Sequence, residues 1–400
     1  MAICSRSTQF RSFSARLAPE ASSRAGINNR GMGSGISCSE QVKRPFYGGP
    51  GFPFHQKRQC NLTRKAMQPD KSKSGVTSDP RKHAIDQWVS AYLGESVVGE
   101  PASADASFRR YFRYFHGDSS LVAMDAPPTQ ENCRPFVDIA GRLKRAGLHV
   151  PDIVHQDLQQ GFLLLSDMGT QTWLNALNEA NADEWYSAAI DTLITQQLHA
   201  DTAGLPQYDE ALLQRELELF PQWYLFRHRE KVVTGELRQR LDRVFDVLIR
   251  SALAQPQVFV HRDYMPRNLM VSDPNPGVID FQDAVAGPIS YDVISLFKDA
   301  FLSWPEERVL GWLGEYFDKA TAAGLPVPAD FDTFLRDCDL MGAQRHIKVI
   351  GIFARICHRD GKPKYLGDVP RFFAYLRTVI ARRPELCDLQ WVLDQIEDNQ

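Results

Sequence analysis

Apolar positions along the chain change period several times, and each change predicts an element. In "HAIDQWVSAYLG", Ile85, Trp88, Val89 and Leu93 recur at helical spacing. "ASFRRYFRYF" and "SSLVAMDAPP" are two apolar or aromatic runs separated by "HGDSS", the pattern of a β-hairpin. A helix is predicted from Phe136 to Ala146, ended by Gly147, and Pro151 opens a second strand pair running into "GFLLLSDMG". The remainder is long and mostly helical. This order predicts an α+β chain of two lobes, a small β-rich one over residues 81–168 and a larger helical one over 169–400, with the boundary near Ser166 to Gly169. Residues 1–80 keep no period and are rich in Ser, Gly, Arg and Pro, which predicts a disordered extension.

Charge sharpens that division. The formal net charge of −3 combines a basic start and an acidic body: up to Lys65 there are eleven Lys/Arg against Glu20 and Glu40, leaving a body near −12. The Arg- and Ser-rich, acid-poor start fits an organelle transit peptide, and it fits equally an upstream-extended reading frame whose natural start is Met67. An acidic body argues against a nucleic-acid partner, which requires clustered cations. No run approaches the roughly 18 apolar residues of a membrane helix, so no membrane partner is expected. The seven cysteines are odd in number, scattered and without CxxC spacing, which points away from disulfides and zinc and toward a reducing, cytoplasmic setting. Nothing in the chain fixes its oligomeric state, and a monomer is compatible with it.

The chemistry is concentrated in "VHRDYMPRNLMVSDPNPGVIDFQD", residues 260–283. The runs "QVFV" and "GVID" are short and strand-like, so the polar residues between them sit on a braced loop, where reactive groups usually lie. Asp263 and Asn268 are five apart, and Asp280 follows twelve later at a strand end. Mg²⁺ on a nucleoside triphosphate takes one or two carboxylates plus an amide oxygen and phosphate oxygens. The stretch therefore supplies a base and two metal ligands. Ordinary turn chemistry, which also favours Asp and Asn, is the alternative.

His261, Asp263 and Asn268 match the HxDxxxxN catalytic loop of protein-kinase-like enzymes, and Asp280 in "IDFQD" matches their metal-binding aspartate. With "GVIDFQDAVAGPISYD", the stretch resembles the aminoglycoside phosphotransferase family over roughly residues 83–385. Within it the chain is similar to bacterial cell-wall sugar kinases that act on the anomeric hydroxyl of N-acetylmuramate and N-acetylglucosamine. The resemblance implies a protein-kinase-like fold and transfer of a phosphoryl group from ATP, with Mg²⁺, to a small-molecule sugar acceptor. It implies Asp263 as the base, Asn268 and Asp280 as Mg²⁺ ligands, and His261 and Asp292 as structural supports of the loop.

On the nucleotide side, "DASFRRYFRYF" stands where the family has its phosphate-covering hairpin, without a glycine-rich GxGxxG. Ser107, Arg109 and Arg113 are the expected phosphate contacts; strand alternation points Arg109 and Arg113 together and Arg110 away. "LVAMDAPP" carries no lysine where kinases place one, and Glu131 and Asp138 are the candidates for the usual acidic partner. Asp167 and Met168 in "LLLSDMG" resemble the hinge that holds adenine through main-chain groups. For the acceptor, Arg345, Lys348, Arg355 and Arg359 are spaced along one helical face, with Arg345 the expected contact for a carboxylate; Glu216 and Trp223 are further candidates. An antibiotic-modifying phosphotransferase and a nucleotide-binding pseudokinase remain alternatives at this stage.

Overall fold

Asp79 accepts a hydrogen bond from the Lys82 N–H at 3.0 Å and so caps the first helix, α1 (Pro80–Leu93), satisfying one of its orphan donors. The computed structural model describes residues 79–103 and 108–397; the expected extension, up to residue 78, and Ser107 lie outside the described residues.

Five strands follow: β1 (Glu100–Ser103), β2 (Arg110–His116), β3 (Ser119–Asp125), β4 (Ile153–Asp157) and β5 (Phe162–Ser166). They form one antiparallel sheet in the order β1-β2-β3-β5-β4, with α2 (Arg134–Arg145) between β3 and β4. Alternation along the strands sorts side chains to two faces. Phe112, Tyr114, Ala123, Phe162 and Leu164 pack on Ile85 and Val89 of α1. Met124, Leu163 and Leu165 pack with Phe136, Ile139 and Leu143 of α2 in a core that continues into the helical lobe. Because β5 is covered on both faces, its sequence is uniformly apolar rather than alternating.

The second lobe contains α3 (Trp173–Ala176), α4 (Ala182–His199), α5 (Glu210–Leu217) and α6 (Gly235–Ala254). Short ladders then carry the motif: β6 (Gln257–Val260), β7 (Leu269–Met270), β8 (Gly277–Val278) and β9 (Val285–Pro288). The two runs flanking the motif do not pair with each other; β6 pairs with β9, and β7 with β8. Helices α7 (Ser290–Phe297), α8 (Glu306–Ala322), α9 (Phe331–Asp360), α10 (Val369–Ile380) and α11 (Cys387–Glu397) complete it.

The apolar pattern across residues 212–225 reads as one helix, but the structure divides it into α5 and a π-helical segment, Phe220–His228, with Pro221 in its first turn. This segment lies against α9 at Gly351. A Cβ on Gly351 would come within 2.4 Å of the Leu219 carbonyl carbon and 2.6 Å of the Phe220 nitrogen. Only a glycine admits that approach. Gly351→Ala is therefore expected to destabilise the fold by about 1–3 kcal/mol, seen as a lower urea midpoint with unchanged slope; an unaltered midpoint would show that the close contact is dispensable.

Candidate active site

The loop after β6 is built on one buried carboxylate. Asp292, in the first turn of α7 and fully buried, accepts the His261 N–H at 2.7 Å and the Arg262 N–H at 3.0 Å. Gln196 of α4 donates to it at 3.1 Å. Burial pushes the Asp292 carboxyl above the usual aspartate range, against the pull of His261 and these donors. His261 is also fully buried, and burial lowers its pKa despite the nearby Asp292 charge. Its neutral ring contacts the Ile279 carbonyl through Nε2 at 3.1 Å, leaving Nδ1 to accept the Asp263 N–H at 3.3 Å. Both nitrogens of the imidazole are engaged by backbone.

Two non-glycine residues here occupy the left-handed region: Arg262 at φ 76° and Asp280 at φ 64°. Such strain persists where surroundings over-determine it. For Arg262, Asp292 holds the N–H and Glu216 holds the guanidinium at 2.5 Å.

Two of the motif's polar side chains, Asn268 and Asp280, meet, and Asp263 joins them through its backbone carbonyl. The Asn268 amide donates to the Asp263 carbonyl at 2.9 Å and lies 3.3 Å from Asp280 Oδ2. Gln282 donates to Asp280 Oδ1 at 2.9 Å, a support that the sequence reading did not single out although it lies within "IDFQD". The Asp263 carboxylate is half-buried, and its charge acts on Arg262 and Lys348.

The predicted phosphate arginines separate. Arg109 pairs with Glu131 at 3.1 Å and feels the charges of Asp280 and Asp283, so it stands beside the motif. Arg113 is corrected: its guanidinium binds the Asp167 carboxylate and the Gly169 carbonyl at 2.9 Å, because the hinge crosses the end of its strand face. Asp167 also accepts from Ser120 at 2.7 Å and from the Gly169 N–H at 2.9 Å. Burial opposes its charge, but Arg113 and Ser120 hold the carboxyl below the usual range. Its side chain thus latches the hinge. Met168 is buried against Gly277 of β8. Arg110 points away, onto the fully buried Asp125, which Arg81 also binds.

A cavity of about 780 Å³ opens beside the loop, lined by α2, α5, α9 and residues 282–285. Glu216 lines it, but both its oxygens are engaged by the chain: Arg262 at 2.5 Å and Lys348 at 2.9 Å on one, and the Tyr208 hydroxyl on the other. Burial would raise the Glu216 carboxyl; Lys348 and Arg262 outweigh it and hold it low. Glu216 therefore braces Arg262 rather than offering a free acceptor. Trp223 and Arg345 are corrected as well, since neither lines the cavity. Trp223 packs on the helical core from the π-helical segment. Arg345 is only 2% exposed, its Nη2 3.9 Å from Met265 Sδ, and its charge faces the buried Asp299. The cavity wall instead receives Lys348 and Arg355 from the same helix, and Arg134 and Arg215, which no local sequence signal distinguished from solvated surface.

Residues 98–331, more than half of the chain, match the model of the phosphotransferase enzyme family. A protein of Pseudomonas putida named N-acetylmuramate/N-acetylglucosamine kinase is 61% identical over 330 residues, covering 80% of this chain and 97% of that protein. A protein of the same name from Pseudomonas aeruginosa is 60% identical over 326 residues, covering 78% and 96%. Among solved structures, a choline kinase from Streptococcus pneumoniae superposes with a TM-score of 0.53 at 14% identity, covering 75% of this chain and all of that one. At that identity the likeness speaks for a protein-kinase-like fold alone.

Asp299 gives a pH signature for this region. Burial pushes its carboxyl from 3.8 to about 6, with Arg345 pulling the other way. A carboxyl whose folded pKa is raised contributes most below its unfolded pKa, and the contribution is lost as pH climbs through about 6. The stability of the parent relative to Asp299→Asn should therefore fall by up to about 3 kcal/mol between pH of about 4 and 7. Denaturant titrations across that range test this; a pH-independent difference would contradict it.

Proposed function

The chain belongs to the phosphotransferase enzyme family, and on that premise we propose that it transfers the γ-phosphoryl group of ATP to the anomeric hydroxyl of N-acetylmuramate or N-acetylglucosamine. The identity of 60% and above to kinases named for these sugars supports the acceptor. The observation that carries the chemistry is the convergence of Asn268 on both the Asp263 carbonyl and the Asp280 carboxylate.

Asp263 accepts the proton of the attacking hydroxyl as its oxygen bonds to the γ-phosphorus. The bond from that phosphorus to the bridging oxygen breaks, and ADP leaves with the electron pair. The Asn268 amide oxygen and the Asp280 carboxylate suit Mg²⁺, a hard ion that takes few protein oxygens and fills its shell with phosphate and water. No cluster of three or more His, Cys, Asp or Glu fit for a metal occurs among the described residues, so an ion here depends on the nucleotide for its remaining ligands. When bound, it would neutralise charge on the β- and γ-phosphates. Arg109, tied to Glu131 and beside Asp280, takes the place of the lysine that β3 lacks. Main-chain groups of residues 167–168 would meet adenine, with Met168 as an apolar wall. ATP dependence supports a cytoplasmic setting, and the described cysteines, Cys133, Cys338, Cys357 and Cys387, are all free thiols.

The arginines of the cavity oppose a polycationic aminoglycoside as acceptor. The Arg109–Glu131 pair beside the motif favours an active kinase over a pseudokinase.

Asp263→Asn should lower kcat by at least about a hundredfold while leaving the ATP dissociation constant nearly unchanged, measured by coupled ADP release and by calorimetry. Phosphorus NMR of the parent's product should place the phosphate on C1. Undiminished turnover in the variant would remove Asp263 from the reaction, and phosphate on another carbon would remove the anomeric assignment.

A further inference from the structure

The cavity is cationic in a way the composition of the chain does not require, since the body is acidic. Five cations line it: Arg134 from α2, Arg215 from α5, Arg262 from the loop, and Lys348 and Arg355 from α9. Arg262 and Lys348 are matched by Glu216. Arg134, Arg215 and Arg355 have neither an ion pair nor a side-chain hydrogen bond among the described residues. Of the other acids in the wall, Asp138 pairs with Arg142 at 2.9 Å, and Asp283, whose charge also acts on Arg109, is the one left to face three arginines.

Arg134 and Arg215 are exposed, and alone they would read as solvated surface charges. Arg355 is different. It is half-buried, and its Nε is shut off from solvent without a partner. Desolvation and the neighbouring Arg359 disfavour its charge and outweigh the favourable charge of Asp360. A guanidinium held partly dry and unpaired, with Ile352 one turn before it on the same wall, is shaped for a carboxylate, which it binds in a two-pronged fork.

We propose that Arg355, with Arg215 and Arg134 at the rim, forms a carboxylate subsite that makes the enzyme favour acceptor sugars with an acidic side chain over their neutral counterparts. The inference rests on the sugar-kinase reading above. N-acetylmuramate and N-acetylglucosamine share one ring and one reacting hydroxyl, and differ by the lactyl ether and its carboxylate. Arg355 acts only on that difference. Lys348 and Arg262, already neutralised by Glu216, do not discriminate between the two.

Steady-state kinetics of the full chain with ATP and each of the two sugars test this. In Arg355→Gln the ratio of kcat/KM for N-acetylmuramate over N-acetylglucosamine should fall about ten- to a hundredfold, chiefly through KM for the acidic sugar. Arg355→Lys should restore part of the ratio, because it keeps the charge but loses the fork. Arg215→Gln, an exposed change that leaves the core untouched, should lower the ratio about two- to fivefold. Equal losses with both sugars, or an unchanged ratio in Arg355→Gln, overturn the subsite while leaving the kinase reading in place. A parent enzyme that phosphorylates neither sugar overturns both.

Discussion

The site depends on Asp292 accepting two consecutive backbone N–H groups from the loop that follows β6. A carboxylate with no solvent access is unfavourable unless its oxygens are filled, and here the His261 and Arg262 amides and the Gln196 side chain fill them. In return the loop is held with Arg262 in a left-handed conformation that a long side chain rarely adopts. The next residue, Asp263, is left half-buried, while His261 ties the same loop to the Ile279 carbonyl just ahead of Asp280. One buried charge thus sets the relative position of both aspartates of the motif.

A second charge cluster extends this control to the cavity. Glu216 joins α5, the loop and α9 by binding Arg262 and Lys348 together, with Tyr208 on its other oxygen. Buried ion pairs are weak evidence for stability, since desolvation offsets their attraction, but removing one member leaves an unmatched buried charge. The cluster is better understood as a device for position than for stability: three elements distant in sequence acquire one fixed geometry beside Asp263. Electrostatic preorganisation of this kind is the main means by which phosphoryl transfer is accelerated.

The small lobe reaches the same centre by a different route. Its sheet packs against α1 on one face and α2 on the other, and β2 and β3 hold a firm register that sends Arg109 to one side and Arg110 to the other. Arg109, paired with Glu131, stands over the motif; Arg113 is taken by the hinge. Arg109 therefore reaches the motif from the entry to β2, while β3, which carries no lysine, ends in the buried Asp125 clamped by Arg81 and Arg110.

Spacing along the chain was enough to reveal the two lobes, the hairpin of β2 and β3, the helix α2, and the nearness of Asn268 to Asp280 and to the Asp263 backbone. All of these are local: they follow from periods of two or 3.6, or from residues brought close by a short loop and a two-residue ladder. Asn268 and Asp280 meet because β7 and β8 pair directly between them. The partners of Arg113, Glu216 and Arg345 were beyond such reasoning, since each answers to a residue from a distant segment whose approach depends on how whole elements pack. The same holds for the π-helical turn seated on Gly351 and for the arginines that share a cavity wall from three separate helices. A one-dimensional pattern records which face of an element is apolar; which charges then confront one another is decided only when those faces are brought together.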